Sequence, residues 1–486
     1  MPREARLRVA TVAVALAGIS VLAAGCAIGP NYKRPGVETP EHYKESPGEA
    51  NAAAIQADQW WTLFNDTTLN DLEAQVVVSN QNLAVSEAAY RQAAAVIGEQ
   101  RAGLFPSISV DAGATRVGGP GRNNSTTVGT GPGGTVVTRS PETYTASASA
   151  SWEIDLWGRL RRGLENAHAL ADASGDDLAS AKLSIQGQLA TAYLQLREAD
   201  AEQQLLGETV TAYGRSLEIA QNRYNVGAAP KTDLLQAQTQ LASARDQFAA
   251  LALQRAQLEH AIAALLGKPA SNFALDVRDE WQIPVPEIPT GVPSTLVQRR
   301  PDVSAAERRV AAANASIGIE EAAYLPSLTL TGAYDFVSTS ASTLFKAANQ
   351  THSVGASVAE SLFNGGATRA RVAGARAAYD QTVAQYRQSV ITAFQDVEDQ
   401  LASSKWLAQR YEFSRQASEA ADETERLTTN QYRAGTVSYT NVVVAQAAAL
   451  SARRTLATIA LSRQTTAVSL IAALGGGWNP EAAPPR

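Results

Sequence analysis

The chain has 486 residues, 18% of them charged, and a formal net charge of −6. This balance, without a basic stripe, argues against a nucleic-acid partner. The single cysteine excludes an internal disulfide, so packing and assembly must stabilise the fold.

The N-terminus predicts export from the cytoplasm. Three early arginines precede an apolar run over residues 9–24, which is too short to span a bilayer as a stable helix. The only cysteine, Cys26, follows at the place where bacterial lipoproteins carry the lipid-modified cysteine. We therefore predict a signal peptide over residues 1–25, a covalent lipid at Cys26 and no other cofactor. A plain secretory signal that contains a cysteine is the alternative.

Long stretches without internal proline, rich in Ala, Leu, Gln, Glu and Arg, predict helices of unusual length. In chain order they cover residues 69–103, 158–224, 232–266, 301–323, 368–432 and 441–474. A helix of about 65 residues extends roughly 100 Å, which no ordinary globular core requires. Taken alone, these helices also fit a long periplasmic coiled coil.

Four short segments predict β-strands, because polar or small residues alternate with apolar ones. They cover residues 107–114, 144–152, 327–334 and 353–363. Their lengths suit tilted membrane-spanning strands. Four strands cannot close a barrel, and an open sheet edge cannot face lipid. We therefore predict a barrel shared between chains, with eight strands from two chains or twelve from three.

Basic residues follow the second strand of each predicted pair. They are Arg159, Arg161 and Arg162 in the first half of the chain and Arg369 and Arg371 in the second. The partial positive charge at a helix N-terminus repels cations, so we expect these arginines to have a partner that compensates for their position. Lipid phosphates and a solvated helix face are both open interpretations.

One structural unit occurs twice in the chain. Gly227 and Gly435 lie 208 residues apart, whereas Pro106 and Pro326 lie 220 apart. The difference of 12 predicts extra residues in the first copy, and the segment 117–142, rich in Gly, Ser, Thr and Asn, is where we expect them. Gly227 and Gly435 follow the two longest helices and are predicted to permit the reversal of two helical hairpins.

Motifs spread over almost the whole mature chain resemble the TolC-like outer-membrane factor family, specifically its NodT-type outer-membrane efflux lipoproteins. They are Ile28-Gly29-Pro30-Asn31-Tyr32-Lys33-Arg34-Pro35, Trp60-Trp61-Thr62-Leu63-Phe64-Asn65-Asp66, Leu104-Phe105-Pro106-Ser107, Arg299-Arg300-Pro301-Asp302 with Glu307, and Gln431-Tyr432-Arg433-Ala434-Gly435. Their order and spacing carry the resemblance, since none is decisive alone.

The resemblance implies a mainly α fold with a shared transmembrane β-barrel: a homotrimer with a twelve-stranded barrel, a long α-helical barrel and an equatorial domain. It implies a non-enzymatic outer-membrane channel, anchored by lipid and extending into the periplasm. This channel would passively conduct small molecules exported by an inner-membrane RND-type transporter and a periplasmic adaptor protein. An outlet for type I protein secretion is the alternative on the same fold. A non-conducting periplasmic coiled-coil scaffold is the alternative from another class.

The resemblance also implies a gate at the periplasmic tips of the helical hairpins, which opens when the adaptor docks. Thr232 and Asp233 match the positions that one hairpin uses, and Tyr432 matches the tyrosine that bonds to them from the neighbouring hairpin. Asn441 is the repeat equivalent of Asp233. Val437 stands where some members carry arginine, so we expect fewer charged contacts and less dependence on divalent cations.

The repeat and the motifs predict how the chain is divided. The parts are the signal peptide (1–25), a lipid-anchored N-terminal segment and equatorial region (26–68), the first structural repeat (69–267), a Pro-rich connector and equatorial region (268–300), the second repeat (301–475) and a C-terminal tail (476–486). No metal site is expected, because the four histidines are scattered without metal-ligand spacing. They are His42, His168, His260 and His352.

Overall fold

The computed structural model describes residues 27–45, 59–116, 142–278, 284–288 and 299–478. The predicted signal peptide and Cys26 lie outside these residues. So do nearly all of the segment 117–142 and the last residues of the predicted tail.

The described residues are mainly helical, as the sequence predicted. The helices are α1 (Thr67–Ser79), α2 (Gln81–Ala102), α3 (Arg159–Asn225), α4 (Lys231–Leu265), α5 (Pro301–Ala322), α6 (Ala367–Arg433) and α7 (Tyr439–Ala473). α3 and α6 have 67 residues each, and α4 and α7 have 35 each. By length and composition α7 could cross a membrane, but 44% of its apolar window is buried within the protein, as in a core helix.

Four strands form one antiparallel sheet in the order β1-β2-β3-β4. The strands are β1 (Ser107–Arg116), β2 (Glu142–Ile154), β3 (Ser327–Ser338) and β4 (Gln350–Ala359). β2 also pairs with β3, with Tyr144 opposite Ser338. The two predicted hairpins therefore belong to a single sheet that has β1 and β4 at its edges.

The helices of the two copies have the same lengths. Adding 208 to the bounds of α3 and α4 gives those of α6 and α7, and adding 220 to the bounds of α2 gives those of α5. The two copies differ in the number of residues from the start of their first strand to the start of their second. β2 starts 35 residues after β1 starts (142 − 107), and β4 starts 23 residues after β3 starts (350 − 327). The twelve extra residues of the first copy thus lie between the starts of β1 and β2.

A break at Asn80 corrects the prediction of one helix over residues 69–103. The Asn80 side-chain oxygen accepts hydrogen bonds from the backbone N–H groups of Asn82 (2.9 Å) and Leu83 (3.1 Å). Its side-chain nitrogen donates to the Leu265 carbonyl oxygen at 2.6 Å. An asparagine that bonds to the backbone ahead of it begins a helix instead of continuing one. α1 therefore ends before Asn80 and α2 begins after it.

The fourth strand is also displaced from its predicted range, 353–363. Its partner β3 begins at Ser327, directly after Pro326, which has no N–H group to extend the ladder. Ser327 pairs with Ala359, so β4 ends there. Phe363 lies outside the sheet and is exposed.

The chain forms two compact units. One comprises Met1–Pro35, Arg91–Asp172 and Arg308–Val383, and the other comprises Gly36–Tyr90, Ala173–Glu307 and Ala384–Arg486. The first unit contains the sheet, and the second contains the larger apolar core.

The core of the second unit anchors α1 to α3. Trp60, Phe64 and Tyr193 are almost completely buried in one apolar cluster. Asp66 caps α1, because one carboxylate oxygen accepts the Leu69 N–H at 3.0 Å. Its other oxygen accepts a hydrogen bond from the Tyr193 hydroxyl at 2.8 Å. The Trp60–Asp66 motif therefore also has a structural role, because its last residue fixes where α1 begins.

Candidate functional site: the helical-hairpin tips

Both long helical hairpins reverse through the same type of turn. Gly227 follows α3 with a φ of +72°, and Gly435 follows α6 with a φ of +78°. In each turn the glycine N–H and the next N–H bond back to carbonyl oxygens of the helix end, as in a Schellman motif. A side chain at either position would be strained in this left-handed backbone.

The four predicted gate residues lie next to these turns but differ in exposure. Thr232 and Asn441 are exposed, in the first turns of α4 and α7, and Asp233 is half-buried beside Thr232. Tyr432, in the last turn of α6, is only 5% exposed. Tyr432 is thus the only one of the four that forms part of a packed core.

An apolar cluster joins the two hairpin tips of the chain. Tyr432 and Tyr439 lie with ring centres 5.3 Å apart, and Val442 packs with them. Ala220 on α3 and Ala237 on α4 complete the cluster from the other hairpin. The tips of the first and second hairpins therefore contact each other within one chain.

Arg223 makes one of the polar contacts between the tips, and no role was predicted for it from the sequence. Its Nη1 donates a hydrogen bond to the Tyr432 carbonyl oxygen at 2.9 Å, and its guanidinium carbon lies 4.7 Å from the centre of the Tyr432 ring. A guanidinium at this distance is attracted to the ring face. The signal that could have identified Arg223 is its repeat equivalent, Gln431, which lacks the charge.

The Tyr432 hydroxyl is buried, and no residue in the described part of the chain forms a hydrogen bond with it. Burial raises the pKa of this phenol, Arg223 partly opposes that rise, and Asp233 adds to it. Burial likewise raises the pKa of Tyr439 to about 12. The hydrogen bond from Tyr432 to the Thr232–Asp233 pair that the resemblance implied is therefore not formed within the chain. The Tyr432 ring instead lies at a tilt against Tyr439 and beneath the Arg223 guanidinium.

A second charged cluster lies further along the same helices. Glu198 and Glu202 are one turn apart on α3 and both are buried, and Arg454 on α7 forms an ion pair with Glu202. Burial raises the pKa of Glu198 to about 7, with a further rise from Glu202 and an opposing effect of Arg454. Arg454 also lines a groove of about 530 Å³ between α4, α6 and α7.

The arginines after β2 contact neighbouring groups of the protein, and these contacts were not predicted from the sequence. Arg159 and Arg161 also stay partly exposed, with 42% and 36% of their side-chain surface accessible. Arg159 forms a bidentate pair with Glu153, donating from Nε to Oε1 at 3.2 Å and from Nη2 to Oε2 at 2.7 Å. Arg161 pairs with Asp155 at 3.1 Å. The same Asp155 carboxylate accepts the first backbone N–H groups of α3 and so offsets the unfavourable position of these cations near the helix N-terminus.

Arg162 holds the N-terminal segment and is itself buried. It donates to the carbonyl oxygens of Ile28 and Gly29, both at 3.1 Å, and to the Asn31 side chain at 2.9 Å. Asn31 belongs to the motif after Cys26, so that motif is bound by the first turn of α3 in the same unit.

The described residues contain no group of three or more His, Cys, Asp or Glu side chains that could hold a metal ion.

Known proteins resemble the chain in sequence and fold. The profile of the outer membrane efflux protein family matches residues 73–268 and 292–476. The toluene efflux pump outer membrane protein TtgC of Pseudomonas putida is 30% identical over 476 residues, which cover 96% of this chain and 95% of that protein. The pyoverdine export outer membrane protein OpmQ of Pseudomonas aeruginosa is 28% identical over 469 residues, covering 96% and 97%.

The solved outer-membrane channel OprN has the same fold. It aligns with a TM-score of 0.83 and 28% identity, over 93% of this chain and all of that one. The paired long helices and the four-stranded sheet of this chain are therefore the fold of an outer-membrane channel. Since the family profile covers both copies of the repeat, the chain belongs to the outer membrane efflux protein family.

Proposed function

We propose that the protein is the outer-membrane duct of a tripartite efflux system. The observation that carries this proposal is the sheet: β1 and β4 are exposed along their whole length and each has one unpaired edge within the described residues. An unpaired edge cannot face lipid. The sheet therefore requires further copies of itself.

A homotrimer with a twelve-stranded barrel would satisfy both edges, with β1 of one chain beside β4 of the next. Support comes from the apolar side chains on the edge strands. Ile108 and Val110 on β1, and Val354 and Val358 on β4, are all exposed. Alternating exposed apolar residues are what the lipid-facing side of a membrane barrel requires.

The hairpin tips would form the gate at the periplasmic end of the duct. Asp233 places a carboxylate beside the tips, and its repeat equivalent Asn441 has none, so a trimer would carry three such carboxylates instead of six. A ring of carboxylates attracts cations, and fewer of them bind cations less strongly. We expect Thr232, Asp233, Tyr432 and Asn441 to influence closure and divalent cations to block the duct weakly.

Lipid at Cys26 would anchor the N-terminus of each chain in the outer membrane. The composition of residues 1–26 supports this proposal. Mass measurement of the N-terminal peptide would test it: diacylglyceryl and acyl groups on Cys26 are expected. An unmodified Cys26 thiol in the mature protein would contradict lipid anchoring but leave the duct proposal unaffected.

A periplasmic adaptor and an inner-membrane RND-type transporter would supply cargo and energy, and the duct itself would need neither catalysis nor a cofactor. The two relatives are named for different cargo, toluene and pyoverdine. A shared fold with different cargo supports a passive duct whose cargo is chosen by the transporter.

Conductance of the purified full chain in a planar bilayer tests the function. We compare the native protein with the Asp233→Ala, Tyr432→Phe double variant after checking for a heat-sensitive oligomer. Low conductance that rises in the variant is the expected result for a duct gated at the tips. High conductance from the outset would retain the duct and remove the gate from these residues. A folded oligomer that never conducts would favour the scaffold.

A further inference from the structure

We propose that Asp246 on α4 of one chain forms an ion pair with Arg410 on α6 of the next, and that this pair makes the two copies of the repeat alternate around the oligomer. The inference rests on the proposed homotrimer, because the pair joins two copies of this chain. It concerns the middle of the long helices. Arg410 precedes Gly435 by 25 residues (435 − 410), which is roughly 40 Å of helix.

An ion pair inside each chain provides the template. Glu202 on α3 is buried and pairs with Arg454 on α7. Arg454 Nη1 also lies 3.5 Å from the side-chain oxygen of Gln247 on α4. Leu206 and Leu450 pack together beside this pair. Since α3 and α4 form the first hairpin and α7 belongs to the second, the pair joins one hairpin of the chain to the other.

The repeat relates this pair to two further charged residues. Adding 208 to the number of Glu202 gives Arg410, and subtracting 208 from that of Arg454 gives Asp246. Both members of the pair therefore change sign between the copies. Because both change, the equivalent pair again consists of one carboxylate and one guanidinium, which attract each other.

The equivalent pair is not formed inside one chain. Arg410 and Asp246 are exposed, and neither has a hydrogen bond or an ion pair with any described residue. Arg410 lines the same groove as Thr455, which is the repeat equivalent of Gln247. Arg410 thus lies toward its own hairpin as Glu202 does, and its acidic counterpart must come from another chain.

A threefold ring supplies that counterpart. The tips of the two hairpins meet within the chain, so both hairpins point the same way and the six hairpins of a trimer alternate between first and second copies. One joint brings α3 of the first hairpin to α7 of the second. The rotation that relates this joint to the next brings α6 to α4 of the neighbouring chain, and places Arg410 beside Asp246.

The face of α6 around Arg410 is apolar, as a face covered by a neighbouring chain should be. Trp406 and Phe413 lie four residues before and three residues after Arg410, so the three side chains share one face of the helix. Both rings are more than half exposed in the single chain. Their repeat equivalents lie at the joint within the chain, where Glu198 is buried and Leu205 packs against a buried apolar cluster.

The exchanged charges also disfavour wrong joints. Two first copies side by side would bring Glu202 to Asp246, which are both negative. Two second copies would bring Arg410 to Arg454, which are both positive. Like charges brought together at an interface oppose association. Only a first copy beside a second copy is attractive, so the charges themselves specify an alternating ring.

Thiol crosslinking of the full-length protein tests where the pair lies. Cysteines at positions 246 and 410 should give covalently linked trimers on a denaturing gel after treatment with a short bifunctional maleimide. Cysteines at positions 202 and 454 are the matched control, because these positions meet within one chain and the product should keep the monomer mass. Proteins with one introduced cysteine control for reaction through Cys26. Only monomer-sized products from positions 246 and 410 would overturn the pair.

Charge reversal tests the attraction. Asp246→Arg and Arg410→Glu each bring like charges together, and each should speed the exchange of subunits between trimers about tenfold. The double variant restores opposite charges and should return the rate to within about twofold of the native value. Glu208→Arg, at an exposed position of α3, controls for the change in net charge and should leave the rate unchanged.

Two failures can be told apart by native mass spectrometry. A native protein that is not a trimer would reject the proposed homotrimer. A native trimer that exchanges subunits as slowly in both single variants as in the native protein would reject the ion pair and leave the homotrimer intact.

Co-expression tests whether the charges select the neighbour. Every trimer that mixes native chains with double-variant chains contains two joints with like charges. Such mixed trimers should therefore be several-fold rarer than those formed by two differently tagged native chains. Equal frequencies of mixed trimers in the two experiments would contradict the selection of neighbours by this pair.

Discussion

The Glu398 carboxylate on α6 accepts a hydrogen bond from the backbone N–H of Lys44 at 2.7 Å, across 354 residues of sequence. Its second oxygen accepts the next N–H, that of Glu45, at 3.2 Å. Glu45 is held further by Lys405, seven residues along α6, at 3.3 Å. The segment that follows the predicted lipid anchor is thus fixed to a long helix through its backbone. These two hydrogen bonds do not depend on which side chains stand at positions 44 and 45.

Replacing Glu398 should release this segment. Glu398→Ala leaves two N–H groups without their acceptor, and we expect their hydrogen-exchange protection to fall by roughly fivefold, or about 1 kcal/mol. Exchange measured by mass spectrometry on the peptide containing Lys44 checks this. Asp399→Ala, an exposed neighbour on α6, is the control. The same protection in both variants would show that Glu398 does not hold the segment.

Glu73 should make the protein less stable as the pH rises. Its side chain is completely buried, and neither carboxylate oxygen has a hydrogen-bond partner among the described residues. Burial raises its pKa to about 9. The unfolded chain ionises first, near pH 4.5, so the stability contributed by the neutral form is lost between pH 4.5 and 9, by up to about 1.4 kcal/mol per pH unit.

Glu73→Gln removes this ionisation, so its thermal stability should exceed that of the native protein by an amount that grows up to about pH 9. Melting temperatures at about pH 6, 7.5 and 9 check this trend. The exposed Glu99→Gln on α2 controls for a change in net charge. A difference that stays constant with pH would mean that Glu73 is not buried as a neutral acid.

Glu198 should also make the protein less stable as the pH rises, but over a narrower pH range than Glu73. Burial and the adjacent Glu202 raise its pKa to about 7, so stability should fall as the pH rises from about 4.5 to 7 and then level off. Glu198→Gln should therefore stabilise the protein at about pH 8 as much as at about pH 7.5. Melting curves against the exposed Glu208→Gln control check this. A benefit that continues to grow above about pH 8 would contradict it.

Replacing two glycines by alanine, one within α6 and one in the turn after it, should change the stability of the protein in opposite directions. Gly435→Ala puts a side chain at a φ of +78° and should destabilise the protein by about 1 to 2 kcal/mol. Gly374→Ala lies within α6 and points into open space, so it should stabilise by up to about 1 kcal/mol. Chemical denaturation of both variants checks the signs. Equal effects would show that the turn at Gly435 tolerates other backbone conformations.

The long helices could be predicted from the sequence because the signal accumulates over many residues. Each predicted end of α3, α4, α6 and α7 lies within two residues of the observed one. The break at Asn80 was missed although Val76 to Ser79 are weak helix formers. What fixes it is a contact that the local sequence does not show, the hydrogen bond from the Asn80 side chain to the Leu265 carbonyl oxygen. The displacement of the fourth strand from its predicted range has a similar cause, because the end of β4 is set by pairing with β3.

The sequence predicted where the two hairpins turn, but it did not predict the contacts between their tips. The glycines and the repeat locate the turns, whereas Arg223 and Tyr432 are 209 residues apart and meet only after both hairpins have packed. Arg159 and Arg162 show the same limit. An arginine looks free in a sequence until the carboxylate or carbonyl groups that face it are known.

The equal helix lengths of the two copies have a consequence for how such a chain can change. One inserted residue in α3 or α6 would turn every following side chain by about 100° and shift it by about 1.5 Å, which would misalign the entire far end of the hairpin. The first copy nevertheless carries twelve additional residues between the starts of β1 and β2. An inserted epitope tag should therefore be tolerated between the starts of β1 and β2, where the two copies already differ in length, and not within α3 or α6.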